Sequence, residues 1–444
     1  MVARPFQGAT FKVLGIALLA LLMLIPLAQV NGLIGEREGR AREATQHIAE
    51  RWGAQQLLGA PVLVVPVWRQ VLREKDDAKR EKEWVTAEEI EYVLADRASI
   101  TGKLAPELRS YGIFQTAIYT AEMSVDGRFR SADIAALSTG GAEPQWPRAE
   151  LRLPIADVRG IRRVSVLHFG DRELAFGPAA EGVATIGAIS APAPLDPAKW
   201  SETIAFSLTL TLAGTERFAA LPLARETNVH VTCSWPDPGF DGAFLPASRR
   251  VDATGFEADW QVLDLNRRFA QHWREGDSPE ALSGSGFGIT LTQPAGAYQQ
   301  NVRAGKYGVL FIALTFVAFF LFEVLRGLRV HPVQYLLVGL ALCTFYVVLL
   351  ALSEQIGFGL AYAIAAACVV TMVGGYAAVV LVARRAGLML GALLALIYAL
   401  LYGLVASEDY ALLMGSMALL AAVAGLMYLT RRVDWYALAP APAH

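Results

Sequence analysis

Two glutamates stand near the apolar runs where a membrane protein would keep its chemistry. Glu323 falls at the end of the run Tyr307–Leu325, and Glu354 separates Val333–Leu352 from Ile356–Val382. A charge at mid-bilayer costs at least about 2.5–3.5 kcal/mol, so an acid held there marks a proton or ion path. The spacing puts neither at mid-depth. Glu323 lies three residues before Arg326 on one helix face, and the two read as an interfacial pair at headgroup level. A buried acid facing the helical bundle is the alternative. Glu354 sits in Ser353-Glu354-Gln355, read as a tight hairpin outside the membrane, level with Glu408 and Asp409 of a second acidic turn. Arg303 and Lys306 reach the same surface, so these acids and bases form a candidate docking surface for an external domain.

Enzymatic chemistry finds less footing. The six histidines form no HxH or HExxH spacing, and there is no GxSxG elbow or Walker lysine. The stretch "SGSGFG" (283–288) lacks the register of a phosphate cradle and reads as a flexible loop. Asp237 and Asp241 read as turn formers more readily than as a calcium loop. Together with Asp252, Glu257 and Asp259 they could serve hydrolysis of an envelope polymer, but their spacing singles out no carboxylate pair. Cys233, Cys343 and Cys368 are too scattered for a disulfide framework or a CxxC metal site. Cys233 falls on an apolar strand face and reads as a buried structural thiol. No catalytic, metal or cofactor site is expected.

The elements that must position these residues are of two kinds. Hydrophobic residues make up 54% of the chain, charged ones 18%, and mean hydropathy is +0.39, values that call for membrane spans. Net charge is −2, so nucleic acid is not an expected partner. Phe11–Val30 is long enough for a spanning helix. A basic start with an apolar core also suits a cleaved signal peptide. The run is long for one, however, and "PLAQVNG" offers no good small-x-small cleavage site, so it is read as an uncleaved anchor. Five more spans follow: Tyr307–Leu325, Val333–Leu352, Ile356–Val382, Leu388–Val405 and Ala411–Thr430. Basic clusters (Arg326, Arg329 and His331; Arg384 and Arg385; Arg431 and Arg432) alternate with the acidic turns. Basic flanks are retained in the cytoplasm, which predicts both termini inside and the long segment outside. The organisation expected is 1–30 N-terminus and anchor, 31–305 external domain with a helical stalk at 31–58, 306–432 five-helix bundle, and 433–444 tail.

Within the external segment, "AFSLTLTL" (205–212), "TNVHVTCSW" (227–235) and "GFEADWQV" (255–262) alternate apolar and polar residues with period two. That pattern specifies strands with one buried and one wet face. Turns are expected at Asp126-Gly127, at Ala213-Gly214 and in "WPDPGFDGAFLP" (235–246). The charged stretch "REKDDAKREKEW" (73–84) reads as a solvated loop or hairpin edge. Residues 36–59 read as a mostly polar helix with a narrow stripe of Ile48, Trp52 and Leu57. The fold class expected is an α+β membrane protein: six transmembrane helices and a large, predominantly antiparallel β domain, arranged as a sandwich or a pair of related sheets.

Long strings then resemble a known family. "SWPDPGFDGAFLPASRRV" (234–251) with "GFEADW" (255–260) is similar to a signature stretch of the CreD inner membrane proteins. So are "VRAGKYGVLFIALTFVAFFLFE" (302–323), "HPVQYLLVGLALCTFYVVLLALSEQIGF" (331–358) and "RRVDWYAL" (431–438). The resemblance covers nearly the whole chain and is loosest over 73–150. It implies a bacterial inner-membrane protein in the regulon of a two-component sensor responding to carbon source, associated with colicin tolerance, envelope integrity and β-lactam response. It brings no catalytic or ligand-binding residue. The expected partners are the lipid bilayer and envelope proteins, lipid or peptidoglycan components. A transporter or permease-like subunit is the alternative role, with Thr315, Thr344, Tyr346, Thr371, Tyr376, Tyr398, Tyr402 and Ser416 as its only polar path through the bundle.

Overall fold

The computed structural model describes residues 9–74, 82–277, 280–291, 297–326, 330–380, 384–407 and 411–431. The chain divides into two compact units, Met1–Ala41 with Ala295–His444, and Arg42–Pro294.

Among the described residues there are seven long helices: α1 (Ala9–Leu22), α2 (Leu24–Trp52), α3 (Ala297–Arg326), α4 (Pro332–Ile356), α5 (Phe358–Val380), α6 (Arg384–Ala406) and α7 (Ala411–Thr430). Among the described residues, five helical stretches are long and apolar enough to cross a membrane, and Leu413–Tyr428 is a shorter apolar helix. The helix is interrupted at Met23 because Pro26, four residues after Leu22, has no N–H to give the Leu22 carbonyl. Hydrogen bonds from Met23 to Leu19 (3.0 Å) and from Leu27 to Met23 (3.2 Å) carry the chain across. α2 runs on through the polar stretch and stops at Trp52, where Gly53 turns at φ +137°, and Gln56–Leu58 is already a strand. The expected helix over 36–59 is therefore shorter at its end, and Leu57 belongs to a sheet.

The expected hairpin at Ser353-Glu354-Gln355 is also corrected. α4 continues through it to Ile356, and the chain turns at Gly357 (φ +80°). Polar side chains do not end a helix when partners on neighbouring helices satisfy them, whereas a glycine in a positive-φ conformation does. The bundle core is aromatic, with Phe316 and Phe319 against Tyr335, and Phe345 against Tyr346, Tyr362 and Tyr398. α5 and α6 meet closely where Gly374 faces Gly391; a Cβ on Gly374 would lie 3.3 Å from the Gly391 Cα. Small residues at such a crossing let backbones approach and gain dispersion contacts.

Residues 42–294 form three sheets, of nine, seven and four strands among the described residues. The central strands of the largest are, in spatial order, Thr203–Thr215, Phe114–Arg130, Ala95–Tyr111, Ala224–Cys233 and Gly255–Leu263, with Ser248–Asp252 at the edge. Burial alternates along them as the period-two pattern requires: Val229, Val231 and Cys233 are buried while Asn228, His230 and Thr232 are half-exposed. The pairing is antiparallel apart from Gln56–Leu58 with Arg217–Ala220, and Ala224–Cys233 with Ala95–Leu104. The seven-stranded sheet contains the hairpin Val62–Glu74 and Lys82–Val93, whose tip, within the charged 73–84 stretch, lies outside the described residues. All three sheets contribute to one hydrophobic core, including Phe129, Phe169, Phe218, Trp260 and Phe287.

Two expected turns are strand interior instead. Asp126-Gly127 lies within Phe114–Arg130 and pairs with Ser207 and Phe206. A Cβ on Gly127 would collide with the Phe206 ring and the Arg97 carbonyl, so this glycine admits a neighbour's ring rather than a reversal. Ala213-Gly214 likewise lies inside Thr203–Thr215, with the Tyr119 hydroxyl over Gly214. The chain instead bends at Glu216, whose φ is +59°, and continues as strand Arg217–Ala220 of the four-stranded sheet.

Candidate functional site

The most concentrated polar constellation of the bundle surrounds Glu323 near the end of α3. Its side chain is 3% exposed. Tyr335 of α4 donates its hydroxyl at 2.8 Å, the Val330 N–H donates at 2.7 Å, and the Lys12 ammonium of α1 pairs with the same carboxylate. Phe316 and Phe319 pack edge-on against the Tyr335 ring and fix it there. A carboxylate away from water is tolerable only when paired and hydrogen-bonded, and this one has a cation and two neutral donors. It ties α1, α3 and α4 together. The side chain of Arg326, the partner expected from spacing, lies outside the described residues.

A second polar cluster binds α2, α3 and α4 at the other end of α4. Tyr298 donates to Glu354 at 2.9 Å, Arg37 approaches the same oxygen at 3.8 Å, and the Asn301 amide donates to the Ser353 hydroxyl at 2.9 Å. Of the other residues grouped with Glu354, Arg303 is half-buried, Lys306 is exposed, and Glu408 and Asp409 lie outside the described residues. Lys12, Tyr335, Tyr298 and Arg37 were not singled out from spacing. The usable signal was that an acid in an apolar run demands a donor, and Lys12 and Tyr335 are the polar residues that interrupt nearby runs.

Of the eight hydroxyl residues offered as a polar path, the threonines and the serine are turned back on their own helices. Thr315 bonds the Phe311 carbonyl, Thr344 that of Leu340, Thr371 that of Ala367 and Ser416 that of Leu413. Such back-bonding satisfies the hydroxyl without giving a permeant group a ligand.

The carboxylates of the sheet unit fall in two groups, Asp241 on the four-stranded sheet and Asp252, Glu257 and Asp259 on the nine-stranded one. Asp241 takes Arg217 at 3.0 Å and Thr290 at 2.6 Å, Asp252 takes the Thr254 N–H at 2.8 Å, and Asp237 is exposed. Glu257 and Asp259 flank His230 at 3.9 and 2.7 Å. Asp259 is held below the usual carboxylate range, first by His230 and then by Ser248, so its ionised oxygen accepts from the His230 Nδ1–H. Ser248 bonds Asp259 at 2.8 Å, which puts the acid between serine and imidazole. A nucleophile relay needs the imidazole in the middle, so this trio cannot work as one. Burial pushes the Cys233 thiol up to about 11, the state of an inert structural cysteine.

His230 belongs to a larger arrangement on the wet face of the nine-stranded sheet. Register places Thr209, Ser124, Thr101, His230, Asp259 and Ser248 in one row across six strands. The next row is Thr211, Glu122, Lys103, Thr232, Glu257 and Arg250. Two shallow depressions of about 410 and 430 Å³ lie over these rows and share Lys103 and Thr232.

Long apolar helices joined to a sheet-rich domain define a multi-pass α+β membrane protein. A family model described as Inner membrane protein CreD matches residues 8–436. The chain is also 33% identical over 423 residues to Inner membrane protein CreD of Escherichia coli (strain K12), covering 94% of this chain and 91% of that protein. The chain belongs to the CreD family of inner membrane proteins.

Proposed function

We propose that this protein supports cell-envelope integrity and tolerance of colicins and other stresses through a periplasmic interaction domain, without catalysis. The bundle then serves as an anchor, with both termini cytoplasmic. The observation that carries this reading is the saturation of Glu323: its carboxylate is already engaged by Lys12, Tyr335 and Val330, a clasp between helices rather than an open ion ligand. The orientation is supported by the basic clusters, because Lys12 meets Glu323 at the same end of α3 and α4 that carries Arg326 and His331. The test is crosslinking in intact cells from photoreactive side chains at exposed positions of 42–294. Capture of a defined envelope component is expected, and its absence from every such position would sink the proposal.

A permease-like subunit with a receptor domain is the second reading, favoured by the burial of Glu323 inside the bundle. It requires Glu323→Gln to abolish function at normal abundance. The anchor reading expects activity to follow protein level.

A further inference from the structure

We propose that the wet face of the nine-stranded sheet, between strands Thr203–Thr215 and Ser248–Asp252, binds an uncharged, polyhydroxylated glycan chain laid across the strands. The proposal rests on the reading of 42–294 as an interaction domain and names the chemistry of its partner. The two depressions form one trough, because Lys103 and Thr232 line both. Thr101, Ser124, Thr209, Thr211 and Thr232 bring hydroxyls to it from four neighbouring strands. Each hydroxyl both donates and accepts, and adjacent strands repeat them about every 4.8 Å, close to the length of one pyranose ring.

Other occupants fit less well. Lys103, Arg163 and Arg250 are balanced by Glu122, Asp252 and Glu257, and Arg250 already lies 3.5 Å from Glu257. That leaves no net field for a polyanion. The two rows carry no large apolar side chain, so an amphipathic helix has nothing to bury there. The strands from Thr203–Thr215 to Gly255–Leu263 are paired on both sides, so a peptide strand could add only along the outer side of Ser248–Asp252, beside the trough and not across it. A polymer of hydroxyl donors and acceptors matches what the face presents.

The experiment uses full-length protein in lipid nanodiscs, with the hexamer of N-acetylglucosamine as probe and heparin as the polyanion control. Saturable binding of the hexamer is expected. The triple variant Thr101→Val, Thr209→Val and Thr232→Val keeps β-branched shapes but removes three hydroxyls, and should weaken binding at least about tenfold. Cys233 should stay unreactive in it, showing an intact sheet. If that thiol becomes exposed, Thr101→Val and Thr209→Val are tested singly, each expected to weaken binding about threefold. Absence of saturable binding by the parent protein, unchanged affinity in the folded variants, or a preference for heparin would overturn the proposal. If the hexamer fails while crosslinks from the domain still capture an envelope component, the glycan assignment falls and the interaction reading stands.

Discussion

The two units treat buried polar atoms differently. In the sheet unit, Trp260 Nε1 and the Nε and Nη1 of Arg267 are buried without a protein partner, and burial brings Arg267 down to about 10. In the bundle, Asn301, Thr315, Glu323 and Ser353 are buried and each has a partner. Among the described residues, none of the unpaired buried side-chain atoms belongs to the helices 297–431. A small opening toward water admits solvent, whereas hydrocarbon offers no substitute hydrogen bond. The stricter rule applies where the solvent is poorer.

The cores should differ in the same way. Phe129→Ala removes a ring packed on Phe169 and Phe206 and is expected to cost about 3–5 kcal/mol, since transfer and cavity terms add. Phe345→Ala removes a ring 4.6 Å from that of Tyr398, and should cost only about 1–2 kcal/mol because the alternative environment is lipid and mainly packing is lost. The free thiols give a separate readout for each unit: thermal unmasking of Cys233 reports the sheets and that of Cys343 the bundle. Equal losses would break the comparison.

Polar truncation should reverse the ranking. Glu323→Ala strands Lys12, Tyr335 and the Val330 N–H, and is expected to destabilise the bundle by about 3 kcal/mol. That is the low end for a buried pair, because Lys12 is 31% exposed. Lower membrane accumulation and earlier Cys343 unmasking would register it; unchanged values of both would count against the clasp. Gly127→Val forces a side chain into Phe206 and should cost the sheets about 1–3 kcal/mol, partly restored by adding Phe206→Ala.

The smallest effect concerns Asp157, which accepts from the Ala54 N–H at 2.8 Å and from the Arg159 N–H at 3.0 Å. Burial raises its carboxyl, but the Arg159 side chain and these N–H groups outweigh that and hold it below the ordinary value. A depressed acid contributes fully above its unfolded value near 3.9 and loses that contribution as pH falls through the folded value. Asp157→Asn should therefore cost about 1 kcal/mol at neutral pH, with the gap to wild type closing below about pH 4. A gap that stays constant down to pH 3 in Cys233 unmasking would refute the assignment.

Period-two alternation located the strands around Phe206, Val229 and Phe256 because burial of one face writes itself into neighbouring residues. The errors came where a local signal had a distant cause. Asp126-Gly127 reads as a turn, yet Gly127 serves a ring on another strand. Ser353 and Glu354 read as a hairpin, yet Asn301 and Tyr298 keep them helical. Lys12 and Glu323 lie 311 positions apart, and no spacing rule reaches that far.

The parallel pairing of Ala224–Cys233 with Ala95–Leu104 also orders events in time. Its two strands lie about 130 residues apart in the chain, so closing that loop loses entropy before any contact rewards it, and such topologies fold slowly. Ala95–Tyr111 can zip early onto Phe114–Arg130 across a tight hairpin, but its other edge stays open until Ala224–Cys233 has been made. The nascent domain therefore carries unpaired edges on both sides of this hairpin until Thr203–Thr215 and Ala224–Cys233 have been made, and those edges are where misassembly begins when the later strands are delayed.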